Sequence, residues 1–236
     1  MKKDSIGNRM KENYESRYKI KLTRRTPVII RLDGKAFHTL TKTCNKPFDS
    51  FFSFSMLEAG LYLCNNIQGA KCAYVQSDEI SILLTDFDKL TTDAWFDYNI
   101  QKMTSVSASM ASVIFSKTWF NTILDNIAVF DSRVFNVPKE EVCNYFIWRQ
   151  LDWIRNSLQM LAKFHYSHKE LQKKNQSDMH EMLYAKGVNW TDLDSQWKNG
   201  RFIYKNNSWV INNSTIFKEE RESVERYLTD NEVNHD

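Results

Sequence analysis

Three acidic residues at two points of the chain have the types and spacing that could carry out chemistry. Asp33 stands beside Gly34 after an apolar run, and Asp78 and Glu79 separate two further apolar runs. Carboxylates that share one edge repel each other unless a cation neutralises them, and Mg²⁺ in proteins binds one or two carboxylates together with phosphate oxygens. Two such ions about 4 Å apart activate a hydroxyl and stabilise a leaving phosphate oxygen. These residues therefore suggest two-metal nucleotidyl transfer, and Gly34, which has no Cβ, would let a phosphate approach closely.

Both positions also have an ordinary structural interpretation. Asp33-Gly34 is a common turn dipeptide, and Ser77-Asp78-Glu79 is a typical hairpin tip. The catalytic interpretation therefore depends on a fold that brings the two positions to one edge of a sheet.

The order of the predicted elements provides such a fold. Strands and helices are predicted at 26–32 (strand), 51–67 (helix), 72–76 and 80–84 (hairpin), 99–120 (helix) and 131–137 (strand). This order is the ferredoxin-like α+β pattern, an antiparallel sheet with both helices on one face. Because the first strand neighbours the hairpin in that pattern, we expect the acidic residues to converge.

The second half of the chain is predicted to be mostly helical. Pro138 begins a long helix, and the runs at 201–205 and 208–212 predict a small hairpin. We therefore expect a catalytic domain with a basic N-terminal arm at residues 1–137 and a helical appendage at 138–236.

Composition excludes several classes of protein. The 236 residues are 42% hydrophobic and 14% aromatic, which favours a folded domain over a disordered chain. No apolar run approaches the roughly 18 residues of a membrane span, and Met1-Lys2-Lys3-Asp4 leads into polar sequence rather than a signal peptide. The four cysteines form no C-x-x-C pair, so neither a zinc site nor a disulfide framework is indicated. We expect a soluble, cytoplasmic protein without a membrane partner.

Positive charge is concentrated at the beginning of the chain. Residues 1–31 hold ten lysines and arginines against three acidic residues, whereas residues 218–236 hold three basic and seven acidic residues. A basic arm gains affinity for nucleic acid by displacing counterions from phosphates, although a solvated helix face has the same composition.

Basic residues near the predicted acidic edge could hold a triphosphate. The candidates are Lys46, before Pro47 and Asp49, and Lys102 and Arg133 on later elements. The Walker phosphate loop and the other common catalytic signatures are missing from the sequence. These three basic residues are candidates for binding phosphate only because the acidic residues are predicted to lie nearby.

Several stretches together resemble the tRNA-His guanylyltransferase superfamily. They are Arg31-Leu32-Asp33-Gly34-Lys35-Ala36-Phe37-His38, Lys46-Pro47-Phe48-Asp49, Gln76-Ser77-Asp78-Glu79-Ile80-Ser81, Gly7-Asn8-Arg9-Met10-Lys11 with Tyr14-Glu15, Trp148-Arg149-Gln150-Leu151-Asp152, and Lys198-Asn199. The resemblance covers roughly residues 4 to 205. It implies a palm-like catalytic domain related to that of ordinary polymerases.

The resemblance also implies roles for individual residues. Asp33 and Asp78 would be metal carboxylates, the carbonyl of Gly34 a further metal ligand, and Glu79 a supporting catalytic acid. Nucleotide contacts would come from Arg31, Lys35, Ala36, Phe37, His38, Lys46, Asp49, Ser77, Lys102 and Arg133. RNA contacts would come from Arg155, Asn156, Lys198 and Asn199. The implied cofactors are two Mg²⁺ ions, with ATP and GTP or another nucleoside triphosphate (NTP) as substrates.

One departure from the family pattern bears on the substrate. Where eukaryotic members carry His-Ile-Asn-Asn-Leu-Tyr after the aspartate, this chain has Ile154-Arg155-Asn156-Ser157-Leu158-Gln159. This resembles the guanylyltransferase-like proteins, which favour template-directed addition to 5′-truncated tRNAs. The resemblance then implies a homotetramer that adenylylates a tRNA 5′ end with ATP and extends it with the 3′-hydroxyl of an NTP.

Two other functions are open at this stage. A two-metal nucleotide cyclase would use a similar sheet and the same acidic residues without RNA. A non-catalytic tRNA-binding module would keep the basic arm and would not need the carboxylates.

Overall fold

Six strands form one antiparallel sheet in the computed structural model, which describes residues 5–120 and 127–229. The strands are β1 (Val28–Gly34), β2 (Ala70–Gln76), β3 (Glu79–Leu84), β4 (Phe130–Asn136), β5 (Arg201–Asn206) and β6 (Ser208–Asn212). Their order across the sheet is β4-β1-β3-β2-β5-β6. The first four have the predicted ferredoxin-like arrangement, so the predicted α+β class is confirmed.

Helices occupy most of the remaining chain. They are α1 (Ile6–Asn13), α2 (Phe37–Leu40), α3 (Ser50–Asn66), α4 (Ile100–Phe120), α5 (Lys139–His165), α6 (Gln176–Ala185), α7 (Ser195–Asn199) and α8 (Glu222–Glu225). Within the described residues, none of these helices is both long enough and apolar enough to cross a membrane.

Helices α3 and α4 cover one face of the sheet. Alternate residues of β1 and β3, among them Ile30 and Ile82, are buried against this helical layer. The small residues of α4 allow close packing, because Ser107 Oγ lies 2.8 Å from Ser132 Oγ on β4. Further along α4, Ser112 accepts a hydrogen bond from the amide of Phe130. The helix therefore runs antiparallel to β4, with its last turns near the beginning of that strand.

Helix α5 covers the second face of the sheet. Phe146 of α5 packs into a buried cluster with Ile29 and Leu83, which point away from the first helical layer. Strand β5 pairs with β2, from Cys72 opposite Tyr204 to Val75 opposite Arg201, so the predicted C-terminal hairpin extends the sheet. The division of the chain after residue 137 stays a prediction.

Strand β1 is longer than the sequence pattern predicts. Asp33 and Gly34 are strand residues instead of a turn, because β1 is paired on both sides as far as Asp33. Asp33 faces Glu79 on β3 and Asp131 on β4. Hydrogen bonding from two neighbours continues the strand past the point where the apolar residues stop.

The basic arm at the beginning of the chain lies outside the core. Helix α1 has no buried residue, and Ser5 caps it by accepting a hydrogen bond from the amide of Asn8. The arm meets the rest of the protein through a bridge between Lys21 and Asn99. Residues 1–4 and the acidic residues at 230–236 lie outside the described part of the chain.

Candidate active site

The end of β1 and the β2–β3 hairpin meet at one edge of the sheet, as the topology predicts. The amide of Gly34 donates a hydrogen bond of 3.0 Å to the carbonyl oxygen of Asp78. Asp33 is paired with Glu79 in the strand register. The two candidate metal carboxylates, Asp33 and Asp78, are therefore brought together by backbone hydrogen bonds.

The hairpin tip is a two-residue loop made of Ser77 and Asp78. Gln76 and Glu79 close it as the last register pair of the two strands. Ser77 has a φ of 46°, a left-handed backbone conformation that residues other than glycine rarely adopt. The surrounding strands hold this strained residue in place, which is a common feature of active-site turns.

The negative charges of the Asp33 and Asp78 carboxylates repel each other. Burial, followed by repulsion from the Asp33 carboxylate, raises the pKa of Asp78 above its ordinary value. Within the described residues, neither carboxylate forms an ion pair with a lysine or arginine. A cation placed between the two would relieve the repulsion.

The donor set at this edge suits Mg²⁺ better than a metal held wholly by protein. No group of three or more histidine, cysteine, aspartate or glutamate side chains could hold an ion in the described part of the chain. Mg²⁺ needs only one or two carboxylates, since water and substrate phosphates complete its coordination. Asp33 and Asp78 fit this requirement.

Gly34 cannot be replaced here without a local rearrangement. A Cβ on Gly34 would lie 2.5 Å from Cγ of Phe37. Phe37 is buried, and its ring packs against Phe52, Phe115 and Phe130 with centroid distances of 5.0 to 6.0 Å. The missing side chain leaves room for the Phe37 ring beside the end of β1.

Glu79 is held by two arginines. Its carboxylate accepts hydrogen bonds from Nε and Nη2 of Arg149, at 2.7 and 2.8 Å, and from Nε of Arg31 at 2.9 Å. Both Glu79 and Arg149 are buried, and the ring of Trp148 lies 4.4 Å from the Arg149 guanidinium. Glu79 thus links the hairpin to α5 through Arg149 and to β1 through Arg31, and its predicted catalytic role stays a prediction. Arg31, predicted to contact nucleotide, is engaged in the same cluster.

A pocket of about 290 Å³ opens beside the hairpin tip. Six residues predicted to bind nucleotide or metal line it: Phe37, His38, Lys46, Asp49, Ser77 and Asp78. Lys46 is exposed, and its Nζ donates to the carbonyl oxygen of Thr41. The fold therefore places His38 and Asp78, which are far apart in the chain, at one pocket.

Asp49 has a structural role as well as a place in the pocket. Its carboxylate caps α3 by accepting a hydrogen bond of 2.8 Å from the amide of Phe52, and it accepts another from the amide of Asn45. Burial and the neighbouring Asp49 carboxylate raise the pKa of the Cys44 thiol, which lines the same pocket.

Lys35 and Ala36 lie next to the pocket and do not line it. Both border a separate cavity of about 510 Å³, which Phe37 also lines. Ala36 has a φ of 56°, and the amide of Lys35 donates to the carbonyl oxygen of Val129. The backbone therefore turns sharply directly after β1.

Lys102 and Arg133 are not brought into the pocket. Lys102 is in the first turn of α4, before Ser107, and its Nζ lies 5.8 Å from the ring of Phe96. Because α4 runs antiparallel to β4, this turn lies towards the end of β4 that is remote from the hairpin tip. Arg133 pairs in register with Arg31 and forms an ion pair of 3.4 Å with Asp131.

The predicted RNA-binding residues fall into two groups. Arg155 and Asn156 of α5 both donate to the carboxylate of Asp152, which also accepts from Arg149. Lys198 donates to the carbonyl oxygen of Thr191. The backbone carbonyl of Asn199 accepts hydrogen bonds from Tyr74 and Gln150, at 2.8 and 3.0 Å. Arg155 is exposed, whereas Asn199 anchors α7 to the sheet and to α5.

Sequence patterns assign no individual role to three residues near the site. Arg149 lies in a stretch that resembles the family, and the structure shows that it forms an ion pair with Glu79. Asp131 lies opposite Asp33 on the other neighbouring strand and follows from the strand register alone. Met160 of α5 lines the pocket, for which the sequence carries no signal.

Comparison with known proteins points to one family. The family model described as tRNAHis guanylyltransferase matches residues 7–138. The tRNA(His) guanylyltransferase of Debaryomyces hansenii is 27% identical over 221 residues, which cover 85% of this chain and 82% of that protein.

Two solved structures resemble most of this chain. One is a bacterial tRNA(His) guanylyltransferase-like protein in complex with ATP, with 47% identity, a TM-score of 0.91 and coverage of 95% of this chain and 99% of that one. The other is a bacterial protein of the same description in complex with GTP, with 44% identity, a TM-score of 0.83 and the same coverage.

Proposed function

This chain belongs to the tRNAHis guanylyltransferase family, and from that premise we propose that it adds nucleotides to incomplete 5′ ends of tRNA under the direction of the opposite strand. As a member of the family it is a nucleotidyltransferase. The observation that carries the proposal is the position of Asp33 and Asp78 beside a pocket lined by Lys46, Asp49 and Ser77. Two carboxylates next to a nucleotide-sized recess suit phosphoryl transfer.

The proposed reaction consists of two phosphoryl transfers. In the first, an oxygen of the RNA 5′-monophosphate attacks the α-phosphorus of ATP, the bond to pyrophosphate breaks, and an adenylylated 5′ end forms. In the second, the 3′-hydroxyl of an incoming NTP attacks the 5′-phosphorus of the RNA and AMP leaves. The RNA grows by one nucleotide in the 3′-to-5′ direction. Both steps need the same charge neutralisation, so one site can serve both.

Asp33 and Asp78 would hold the Mg²⁺ ions, with the carbonyl of Gly34 as a further ligand. When bound, Mg²⁺ supplies positive charge that stabilises the phosphate oxygens during transfer. Arg31 and Arg149 hold Glu79 and thereby fix the hairpin that presents Asp78. The protein then contributes positioning and electrostatic stabilisation, without a side-chain nucleophile.

Residues of the pocket would bind the activating nucleotide. Lys46 and His38 are exposed at its rim and can contact phosphate or base, whereas Asp49 and Ser77 are half-buried. Arg155 is an exposed cation on α5, nearly two helical turns after Arg149, and we assign it to an RNA phosphate. Lys102 is kept out of this assignment because of its distance from the hairpin tip along α4.

The bacterial relatives with bound ATP and GTP support nucleoside triphosphates as substrates of this chain. Template direction and the preference for 5′-truncated tRNA rest on the stretch Ile154 to Gln159, in which the histidine of the tRNA-His-specific members is missing. A homotetramer and a cytoplasmic location are part of the same proposal and rest on the resemblance.

Labelled nucleotide transfer tests the proposal directly. The chain is incubated with ATP labelled at the α-phosphate and a 5′-monophosphorylated RNA, and an adenylylated RNA end is expected. A 5′-truncated tRNA is then supplied with one NTP at a time, and the incorporated nucleotide should follow the opposing base. Asp78→Asn should abolish both steps, whereas the exposed Asp93→Asn should not change them.

Two results would contradict the proposal. A cyclic nucleotide formed from ATP without RNA would identify a cyclase. Full nucleotide addition by Asp78→Asn would show that the paired carboxylates are not the catalytic centre.

A further inference from the structure

A groove of about 960 Å³ lies on the helical face of the protein, between α3, α4 and the β5–β6 hairpin. Its lining residues include Tyr62 of α3, Lys117 of α4, and Lys205 and Trp209 of the hairpin. The pocket of about 290 Å³ beside the hairpin tip is called the nucleotide pocket below. None of the described residues that line the groove also lines the nucleotide pocket. We call this surface the helical-face groove.

Two lysines of the groove have no acidic partner among the residues that the structure describes. Lys117 and Lys205 are exposed, and neither forms an ion pair with a described residue. Nζ of Lys205 lies 5.7 Å from the centre of the Trp209 ring. One acidic residue, Glu58, stands among the described lining residues. Lysines in this state attract phosphates, because binding releases the counterions of a nucleic acid.

Aromatic rings lead from the nucleotide pocket to the groove. Phe51, Phe54 and Tyr62 are 51%, 46% and 40% exposed. Their spacing of three and then eight residues places them on one face of α3, where they span about 16 Å at 1.5 Å per residue. Phe51 stands two positions after Asp49, which lines the nucleotide pocket. Exposed rings in series beside lysines are the usual surface for single-stranded nucleic acid, since bases stack on the rings.

A second copy of the chain is a weaker candidate for this surface. Subunit interfaces are depleted in lysine at their centres, because an unpaired ammonium group is costly to bury. Two lysines without carboxylate partners among the described residues would need such partners from the other copy, and the described lining of the groove offers Glu58 alone in return. The Phe51 ring already stacks on Trp119 at a centroid distance of 5.2 Å, so a polyanion that contacts both lysines would stack its bases on the exposed rings of Phe54 and Tyr62.

We propose that the line of aromatic residues on α3 and the helical-face groove bind the unpaired RNA strand that lies opposite the missing 5′ nucleotides. This inference rests on the proposed function, since a 5′-truncated tRNA necessarily has such an unpaired strand. Its bases stack on Phe54 and Tyr62, and its phosphates contact Lys117 and Lys205. The surface recognises single-stranded RNA without regard to sequence, because every base has a stacking face.

Binding measurements with two matched RNAs test the inference. One is a stem-loop with an unpaired 3′ strand, and the other is the same stem-loop with a blunt end. Fluorescence anisotropy measures the affinity of the full chain for each RNA. Tyr62→Ala should reduce the preference for the unpaired strand about tenfold. Lys117→Gln with Lys205→Gln should lower the salt dependence of log K by about 0.7 per lysine. The control pair Lys89→Gln with Lys218→Gln removes the same charge from exposed positions elsewhere and should change neither quantity.

Three results would overturn the inference. One is an unchanged preference for the unpaired strand in Tyr62→Ala, and the second is an unchanged salt dependence in the double lysine variant. The third is a loss of subunit association by Tyr62→Ala or the double lysine variant, measured by light scattering, with RNA affinity unchanged. That result would identify the groove as a subunit interface. Failure of the proposed function is recognised separately, because a wild-type protein that adenylylates no RNA would contradict that function whatever the groove variants do.

Discussion

Arg149 of α5 donates two hydrogen bonds, of 2.7 and 2.8 Å, to the carboxylate of Glu79 at the β2–β3 hairpin. The pair is buried, and Glu79 directly follows Asp78 in the chain. A helix from the second half of the protein therefore sets the position of a carboxylate supplied by the first half.

Breaking this pair is expected to cost both stability and activity. Arg149→Met would leave the Glu79 carboxylate buried with only Arg31, and removal of one partner from a buried ion pair costs about 3–5 kcal/mol. Movement of the hairpin by about 1 Å would reduce nucleotide transfer about 100-fold. Urea unfolding and the adenylylation rate measure the two effects.

Arg155→Met is the matched control for stability. Arg155 is on the same helix and pairs with Asp152 at an exposed position, where an ion pair contributes about 1 kcal/mol or less. Equal losses of stability in the two variants would contradict the role assigned to Arg149.

Asp78→Asn is expected to stabilise the metal-free protein at neutral pH. Burial, and then the Asp33 charge, raise the pKa of Asp78, so the folded state holds the proton more tightly than the unfolded chain does. The contribution of Asp78 to stability is therefore complete below the unfolded pKa and is lost as the pH rises through the folded pKa. The advantage of asparagine should appear at pH 7 in chelator and vanish near pH 3.

Added Mg²⁺ should reverse that ranking. An ion that binds only the folded state stabilises it by mass action, so the urea midpoint of the wild type should rise with Mg²⁺ and that of Asp78→Asn should not. A wild-type midpoint that is higher than the Asp78→Asn midpoint at pH 7 in chelator would refute the proposed repulsion.

Gly34→Ala should destabilise the fold by about 1–3 kcal/mol, the usual cost of overpacking a core. The new methyl group would collide with the Phe37 ring, which three other aromatic residues hold in place. Gly7→Ala in α1 is the control, because nothing lies within 4 Å of the added Cβ. Thermal unfolding of the two variants should differ in direction, since alanine favours a helix over glycine by about 0.5–1 kcal/mol.

Cys44 can report on occupancy of the nucleotide pocket. Cys64, Cys72 and Cys143 are buried, so alkylation of the folded protein should select Cys44. Its pKa is raised by burial and by Asp49, and alkylation proceeds through the thiolate, so its rate should reach half-maximum at a pH above that of a free cysteine.

The neighbouring Lys46 lowers that pKa in part, so Lys46→Gln should slow the alkylation. Bound ATP should protect the thiol. Mass spectrometry of iodoacetamide-treated protein measures both effects, and labelling that is equally fast with and without ATP would place the nucleotide elsewhere.

The sequence by itself determined the order of the elements and the convergence of Asp33 with Asp78. Apolar patterns mark the first four strands and the two helices between them, and the ferredoxin-like connection then leaves the first strand beside the hairpin. Lys46 is a basic candidate in the sequence, and the family resemblance implies a nucleotide contact for Lys46 and Asp49; the structure places both residues at the pocket.

Only the tertiary structure decided what each charge contacts. Glu79 has the same local sequence signal as Asp78, yet the alternation of side chains along β3 turns it towards α5, where Arg149 neutralises it. Lys102 and Lys46 are equally cationic in sequence, but the direction of α4 carries Lys102 away from the hairpin. Pairing over long sequence distances depends on how helices and strands pack, and that packing leaves no local pattern in the chain.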